Sequence, residues 1–186
     1  KKRSLGLKAH QKIVLQLIVT GLFSIWLYLS GDYSKIYIPF TNGLTLNLGI
    51  LFIPFVFFVM IATVNSVNLT DGLDGLASGV TALVLTFFIF ISLSFSSLIS
   101  PILGAAVGSL LGFLLFNSYP AKVIMGDTGS LALGGLIAST AIVLKMPIFI
   151  VIVGIIYVLE AVSVILQVGF FKLTKGKRLF KMAPLH

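Results

Sequence analysis

Six apolar runs of near-spanning length, at about 13–30, 48–64, 79–95, 98–116, 131–144 and 147–171, dominate this 186-residue chain. About 20 helical residues cross the hydrocarbon core of a bilayer, and inside that core only helices and closed barrels satisfy every backbone hydrogen bond. The runs predict an all-α polytopic membrane protein with about six transmembrane helices. The run at 131–144 is short, but its small residues Gly134 and Gly135 suit close helix packing and it can borrow length from its flanks. The last run is longer than a perpendicular span needs. Interrupted by Glu160 and Gln167, it predicts a helix that reaches the membrane surface near Glu160 and continues, bent, toward a basic tail.

Composition agrees: 58% hydrophobic side chains against 10% charged ones is too apolar for an ordinary soluble domain. The net charge of +8 does not point to a nucleic-acid partner, because the basic residues gather at the two ends of the chain, where they act as topology signals. With six spans, eleven of the thirteen Lys and Arg fall on the side of the termini, and only Lys35 and Lys145 fall on the other. That bias predicts a multi-pass protein of the cell (inner or plasma) membrane with both ends cytoplasmic. The absence of cysteine excludes disulfides, thiolate metal sites and cysteine nucleophiles, so any metal must bind through oxygen or histidine. Between the first two spans, Ile36–Leu48 carries β-branched and aromatic residues around Thr41-Asn42-Gly43, a type I′ turn signal that predicts a short external β-hairpin. With no long linker or repeat, residues 1–186 read as one transmembrane domain.

Three of the five acidic residues lie in two polar segments on the predicted cytoplasmic side. The first, Asn65-Ser66-Val67-Asn68-Leu69-Thr70-Asp71-Gly72-Leu73-Asp74-Gly75, follows the second span. Asn and Asp are good helix caps and Gly permits tight turns, so a capped turn is one reading. The other notes that Asp71 and Asp74, three apart, share a face if the next helix starts here. Such a pair implies a raised pKa or a bound cation, and the glycines leave backbone N–H groups open to phosphate. The second segment, Asn117-Ser118-Tyr119-Pro120-Ala121-Lys122-Val123-Ile124-Met125-Gly126-Asp127-Thr128-Gly129-Ser130, adds an amide, an ammonium and a carboxylate. Here too the plain reading is structural: Asp127 or Ser130 caps a helix and Lys122 anchors the interface. Together the segments offer hard oxygen ligands, which suit Mg²⁺ or Mn²⁺ held with substrate phosphates, and so suggest phosphoryl transfer.

Asn68-Leu-Thr-Asp-Gly-Leu-Asp-Gly-Leu76, Pro120-Ala-Lys-Val-Ile-Met-Gly-Asp-Thr-Gly-Ser-Leu-Ala-Leu-Gly-Gly135, Glu160-Ala-Val-Ser-Val-Ile-Leu-Gln-Val168 and the tail Gly176-Lys-Arg-Leu-Phe-Lys-Met-Ala-Pro-Leu-His186 resemble the phospho-N-acetylmuramoyl-pentapeptide-transferase family over essentially the whole chain. The first two motifs are shared with the wider polyprenyl-phosphate N-acetylhexosamine-1-phosphate transferase superfamily. The resemblance implies a Mg²⁺-dependent transfer of phospho-N-acetylmuramoyl-pentapeptide from UDP-MurNAc-pentapeptide to undecaprenyl phosphate. The products are lipid I and UMP, in peptidoglycan synthesis and hence cell shape and division; a homodimer is compatible with it. It also implies that Asp127 is the metal ligand and that Asp71, Asp74 and His186 belong to the catalytic site. Asn68, Gly72, Leu73, Asn117 and Gln167 would line the nucleotide pocket, and Lys122 and Lys12 would contact phosphate. The chain departs from the family at Ile124, where an aromatic usually stacks on uracil. By the same resemblance this chain holds about six of about ten family helices. An Asp-Asp-x-x-Lys motif would precede Lys1 and further histidines would follow His186, so the stretch alone would be inactive. Two alternatives share some of these features: a sister transferase handling N-acetylglucosamine-1-phosphate, and a cation-coupled transporter half, which also uses intramembrane acids and broken helices.

Overall fold

The computed structural model describes residues 9–31, 33–41, 43–95, 97–174 and 176–185. Their order is α1 (Ala9–Leu29), a two-stranded hairpin of β1 (Lys35–Tyr37) and β2 (Thr45–Asn47), α2 (Phe52–Thr70), α3 (Leu76–Ser94), α4 (Ser100–Asn117), α5 (Gly126–Val143), α6 (Phe149–Val153) and α7 (Ile155–Leu173). All the helices except α6 are long and apolar enough to cross a membrane, α2 with the 3₁₀ turn Gly49–Leu51 that precedes it. The protein is thus a multi-pass membrane protein with six candidate spans.

The hub is α2, which packs on α1, α5 and α7, while α3 carries α4 and touches α5. The fully buried side chains, among them Phe52, Val56, Val67, Val84, Leu85, Phe88, Leu103, Ile137 and Tyr157, lie along these seams. Apolar lipid tails give helices little hydrophobic reason to associate, so close backbone approach carries much of the packing. The α2–α5 seam shows it: a Cβ on Gly134 would stand 2.6 Å from Val64 Cα. Any side chain there would part the two helices.

Three expectations change in detail. The span expected at 131–144 starts earlier, at Gly126, taking its first turn from the polar segment. The second span likewise runs on to Thr70, so Asn65, Ser66 and Asn68 are helical and only residues 71–75 make the turn. In the last run the break falls at Gly154, between α6 and α7; Glu160 lies inside a continuous helix and is only 5% exposed, not at a bend on the surface. The hairpin forms as expected, with Lys35↔Asn47, Ile36↔Leu46 and Tyr37↔Thr45 paired. The described pairing ends at Tyr37 and Thr45, and Asn42 of the expected turn lies outside the described residues.

The hairpin end also holds Lys35 and Lys145, whose carbonyl accepts a hydrogen bond from Tyr37 N–H at 2.8 Å. The opposite end gathers the start of α1, the end of α2, the two polar turns, the start of α5 and the end of α7.

Candidate functional site

The seam at Gly134 fixes what happens two helical turns above it. Val64 is one turn before Asn68 on α2, and Gly134 is two turns after Asp127 on α5, so this backbone contact sets the last turn of α2 over the first turn of α5. There the Asn68 Nδ2 donates to Asp127 Oδ1 at 3.1 Å and to Ser130 Oγ at 2.9 Å. Ser130 passes its own proton to the Gly126 carbonyl at 3.0 Å. The Asp127 carboxylate sits in the first turn, where the helix dipole favours negative charge. From α1, the Lys12 ammonium pairs with Asp127 Oδ2. With its side chain 56% exposed, Asp127 remains open to a ligand despite these partners.

Asp71 follows α2 directly and lies near the same helix start, close enough to the Gly126 N–H for that group to favour its charged form. Partial burial raises its pKa above the ordinary 3.8, the Gly126 N–H opposes that, and the charge on Asp127 adds to the rise. The carboxylate neighbours are therefore Asp71 and Asp127, drawn from the two different segments. The expected Asp71–Asp74 pair does not form the cluster. Gly75 adopts φ +76°, a left-handed conformation that glycine takes readily, and this delays the start of α3 to Leu76. Asp71 and Asp74 thus lie in a turn, where three-residue spacing does not bring side chains onto one face. Asp74 instead accepts the Ala121 N–H at 2.9 Å and ties the two polar turns together.

The capping reading also fails. Gly75 and Met125 occupy the N-cap positions of α3 and α5, and neither helix has a side-chain cap hydrogen bond.

The other expected residues divide by direction. Gly72 and Leu73 are exposed in the first turn, and Lys122 and Ile124 in the second, Ile124 being 78% exposed. Asn117 is buried: its Oδ1 accepts from Ser78 Oγ at 2.7 Å and its Nδ2 donates to the Val123 carbonyl at 2.9 Å, so its amide braces the loop from within. Gln167 Oε1 accepts the N–H groups of Leu179 and Phe180 at 3.2 and 2.8 Å. His186 lies outside the described residues. Ser78, Ser130 and the Gly126 N–H were not expected as partners in this network. Only the small polar character of the two serines at helix ends could have signalled them.

Beside the cluster a groove of about 300 Å³ opens between α1, α2 and α5, lined by Leu15, Val19, Met60, Val64 and Leu131, with Lys12 at its polar end. An apolar chain in it would bring an attached anion to Lys12.

Two carboxylates against one ammonium leave one negative charge at the cluster. Hard divalent cations take oxygen ligands and are commonly held by one or two carboxylates together with substrate phosphates and water. Asp71 and Asp127 fit that donor set. Among the described residues no group of three or more His, Asp or Glu converges, so the protein side supplies part of a coordination shell and not a closed cage.

Over its full length the chain is 54% identical to a protein named phospho-N-acetylmuramoyl-pentapeptide-transferase from Clostridium perfringens (strain 13 / Type A), covering 58% of that protein. It is 55% identical, over 98% of its length, to the protein of that name from Clostridium botulinum (strain Eklund 17B / Type B), covering 56% of it. A third, from Clostridium kluyveri (strain ATCC 8527 / DSM 555 / NBRC 12016 / NCIMB 10680 / K1), is 50% identical over the whole chain, which covers 59% of it. The chain thus spans somewhat over half the length of the curated relatives it matches. The profile described as Glycosyl transferase family 4 matches residues 4–145, which take in α1 to α5 and both acidic segments, and the chain belongs to that family.

Proposed function

We propose that the chain is the six-span part of a phospho-N-acetylmuramoyl-pentapeptide-transferase, a single transmembrane unit. The whole enzyme passes phospho-N-acetylmuramoyl-pentapeptide from UDP-MurNAc-pentapeptide to undecaprenyl phosphate, yielding lipid I and UMP for peptidoglycan. The observation that carries this reading is the cluster at the start of α5. Asp127 stands there within reach of Asn68, Lys12 and the charge of Asp71, at the polar end of a lipid-facing groove. The names of the relatives support the choice of the transferred group.

In this reading Asp127 and Asp71 hold Mg²⁺, which supplies neutralisation of diphosphate charge when bound. Asn68 orients Asp127 by bonding one carboxylate oxygen while Ser130 fixes the amide. Lys12 balances Asp127 and lines the polar end of the groove, where its ammonium would also meet the acceptor phosphate. Gly72 and Leu73 present exposed backbone and an apolar side chain to the nucleotide, and Ile124 offers an aliphatic face to the base. Asp74 and Asn117 shape the pocket by bracing its loops, without touching the ligand. The bias of basic residues supports a cytoplasmic position for this face.

The test uses the full-length enzyme in detergent with undecaprenyl phosphate and Mg²⁺, measuring UMP release from UDP-MurNAc-pentapeptide and from UDP-GlcNAc. Turnover with the first donor alone is expected. Turnover with UDP-GlcNAc alone would assign the sister activity, and absence of UMP release in detergent together with Mg²⁺-independent solute uptake by the same protein in sealed vesicles would remove the enzyme reading.

A further inference from the structure

Beyond Leu173 the chain stays with α7. Residues 176–185 have no helix or strand of their own, so their backbone N–H groups need partners from elsewhere. Two side chains of α7 supply them. Gln167 Oε1 accepts from the successive amides of Leu179 and Phe180, and Glu160 Oε2 accepts from the Leu185 amide at 2.7 Å. Positions 160 and 167 are two turns apart and share one face of the helix. The later tail residue meets the earlier helix residue, so the segment runs back antiparallel along α7 as a strap.

Glu160 is 5% exposed and is the one charged residue in the first four turns of α7. A buried carboxylate is costly unless it is hydrogen-bonded, and the cluster at the start of α5 makes no use of this one. Its carboxylate instead bonds the strap. Held in this way, the strap contributes Arg178, Lys181 and Met182 to a cleft of about 410 Å³ whose α7 wall is Gln167 and Phe171. The cleft joins two cations to a flat aromatic face, a combination that suits an anionic ligand with an apolar or ring portion.

We propose that Glu160 and Gln167 are positioning residues that pin the strap 178–185 to α7 and thereby set the place of Arg178 and Lys181 for binding the anionic donor. The choice of donor rests on the function proposed above; the strap itself does not. The test is made in the full-length enzyme with Glu160→Ala and Glu160→Gln, the second keeping the side-chain length and an acceptor oxygen. Hydrogen exchange of the peptide covering 178–185 is expected to accelerate about tenfold or more in Glu160→Ala, with α2 and α5 unchanged, and to stay within about threefold of wild type in Glu160→Gln. In parallel, KM for the donor should rise about tenfold in Glu160→Ala with kcat within about threefold, and the glutamine variant should restore it. Unchanged exchange in Glu160→Ala, or a fall in kcat at constant KM, would overturn the proposal. Should Glu160→Ala fail to fold, Gln167→Leu reads the other clamp through the Leu179 and Phe180 amides, and unchanged exchange there would equally overturn it. A wild-type enzyme that turns over no nucleotide-sugar would sink the functional reading, and the exchange measurement would still decide the strap.

Discussion

Two corners of the same loop pair handle their polar residues in opposite ways. At the start of α5, Asp127, Asp71 and Lys12 form a charged group that remains partly open, held in place by Asn68. At the start of α3, Asn117 and Ser78 bond one another in the interior, and Asp74 is tied to the Ala121 amide across the loops. The first corner keeps unspent charge at a surface a ligand can reach. The second spends its hydrogen-bonding capacity within the protein. Motif membership therefore does not decide a residue's surroundings: Asp71 and Asp74 sit three positions apart in one turn and have different partners.

The contrast is sharpest for Asp127. In the full-length enzyme, Asp127→Asn should lower turnover by about 100- to 1,000-fold if, as proposed, the carboxylate holds the cation that balances phosphate charge. Thermal unfolding of the same variant should be nearly unchanged, and a large loss of melting temperature would move Asp127 into the bracing class. The reverse pattern is expected of Asn117→Ala, which strips the Ser78 hydroxyl and the Val123 carbonyl of their partner at a buried site. Denaturation should show a loss of about 1–3 kcal/mol. A KM effect on the nucleotide-sugar without any stability loss would instead return Asn117 to the ligand.

The smallest effect concerns Asp71. Its carboxyl titrates above the ordinary 3.8 in the metal-free fold, chiefly because of burial. The unfolded chain titrates at the ordinary value, so folding is favoured below that value and is progressively penalised as pH rises through the raised one. Asp71→Asn, measured without divalent metal, should therefore melt slightly above wild type at neutral pH, with the difference vanishing as pH falls toward 3.8. Solvent screening of this partly exposed group keeps the gap to about 1–2 °C. A gap independent of pH would mean that the Asp71 charge is not strained by its surroundings.

The spans were legible because hydropathy depends on composition over a long window. Their ends were less so where a helix begins in polar or small residues. Gly126, Asp127 and Ser130 read as loop by hydropathy, yet they form the first turn of α5 and hold the cluster. The carboxylate partnership was misassigned for a related reason. A three-residue spacing implies a shared face only on a helix, and the left-handed Gly75 keeps Asp71 and Asp74 off α3. Glu160 looked like a surface marker because charge inside an apolar run usually is one; its burial depends on a tail segment that joins it only in the folded chain.

Gly134 lies well inside α5, yet it governs the accuracy of the geometry at the helix start. The contact it makes is between two backbones, Val64 Cα against its own. Side-chain contacts can shift by changing rotamer, whereas main chains in register have no such freedom. Asn68 and Asp127 stand about 6 and 10 Å along their helices from that contact at 1.5 Å per residue. The hydrogen bond between them inherits a fixed reference point, and the alignment of the polar corner is in effect set by a contact that never meets water.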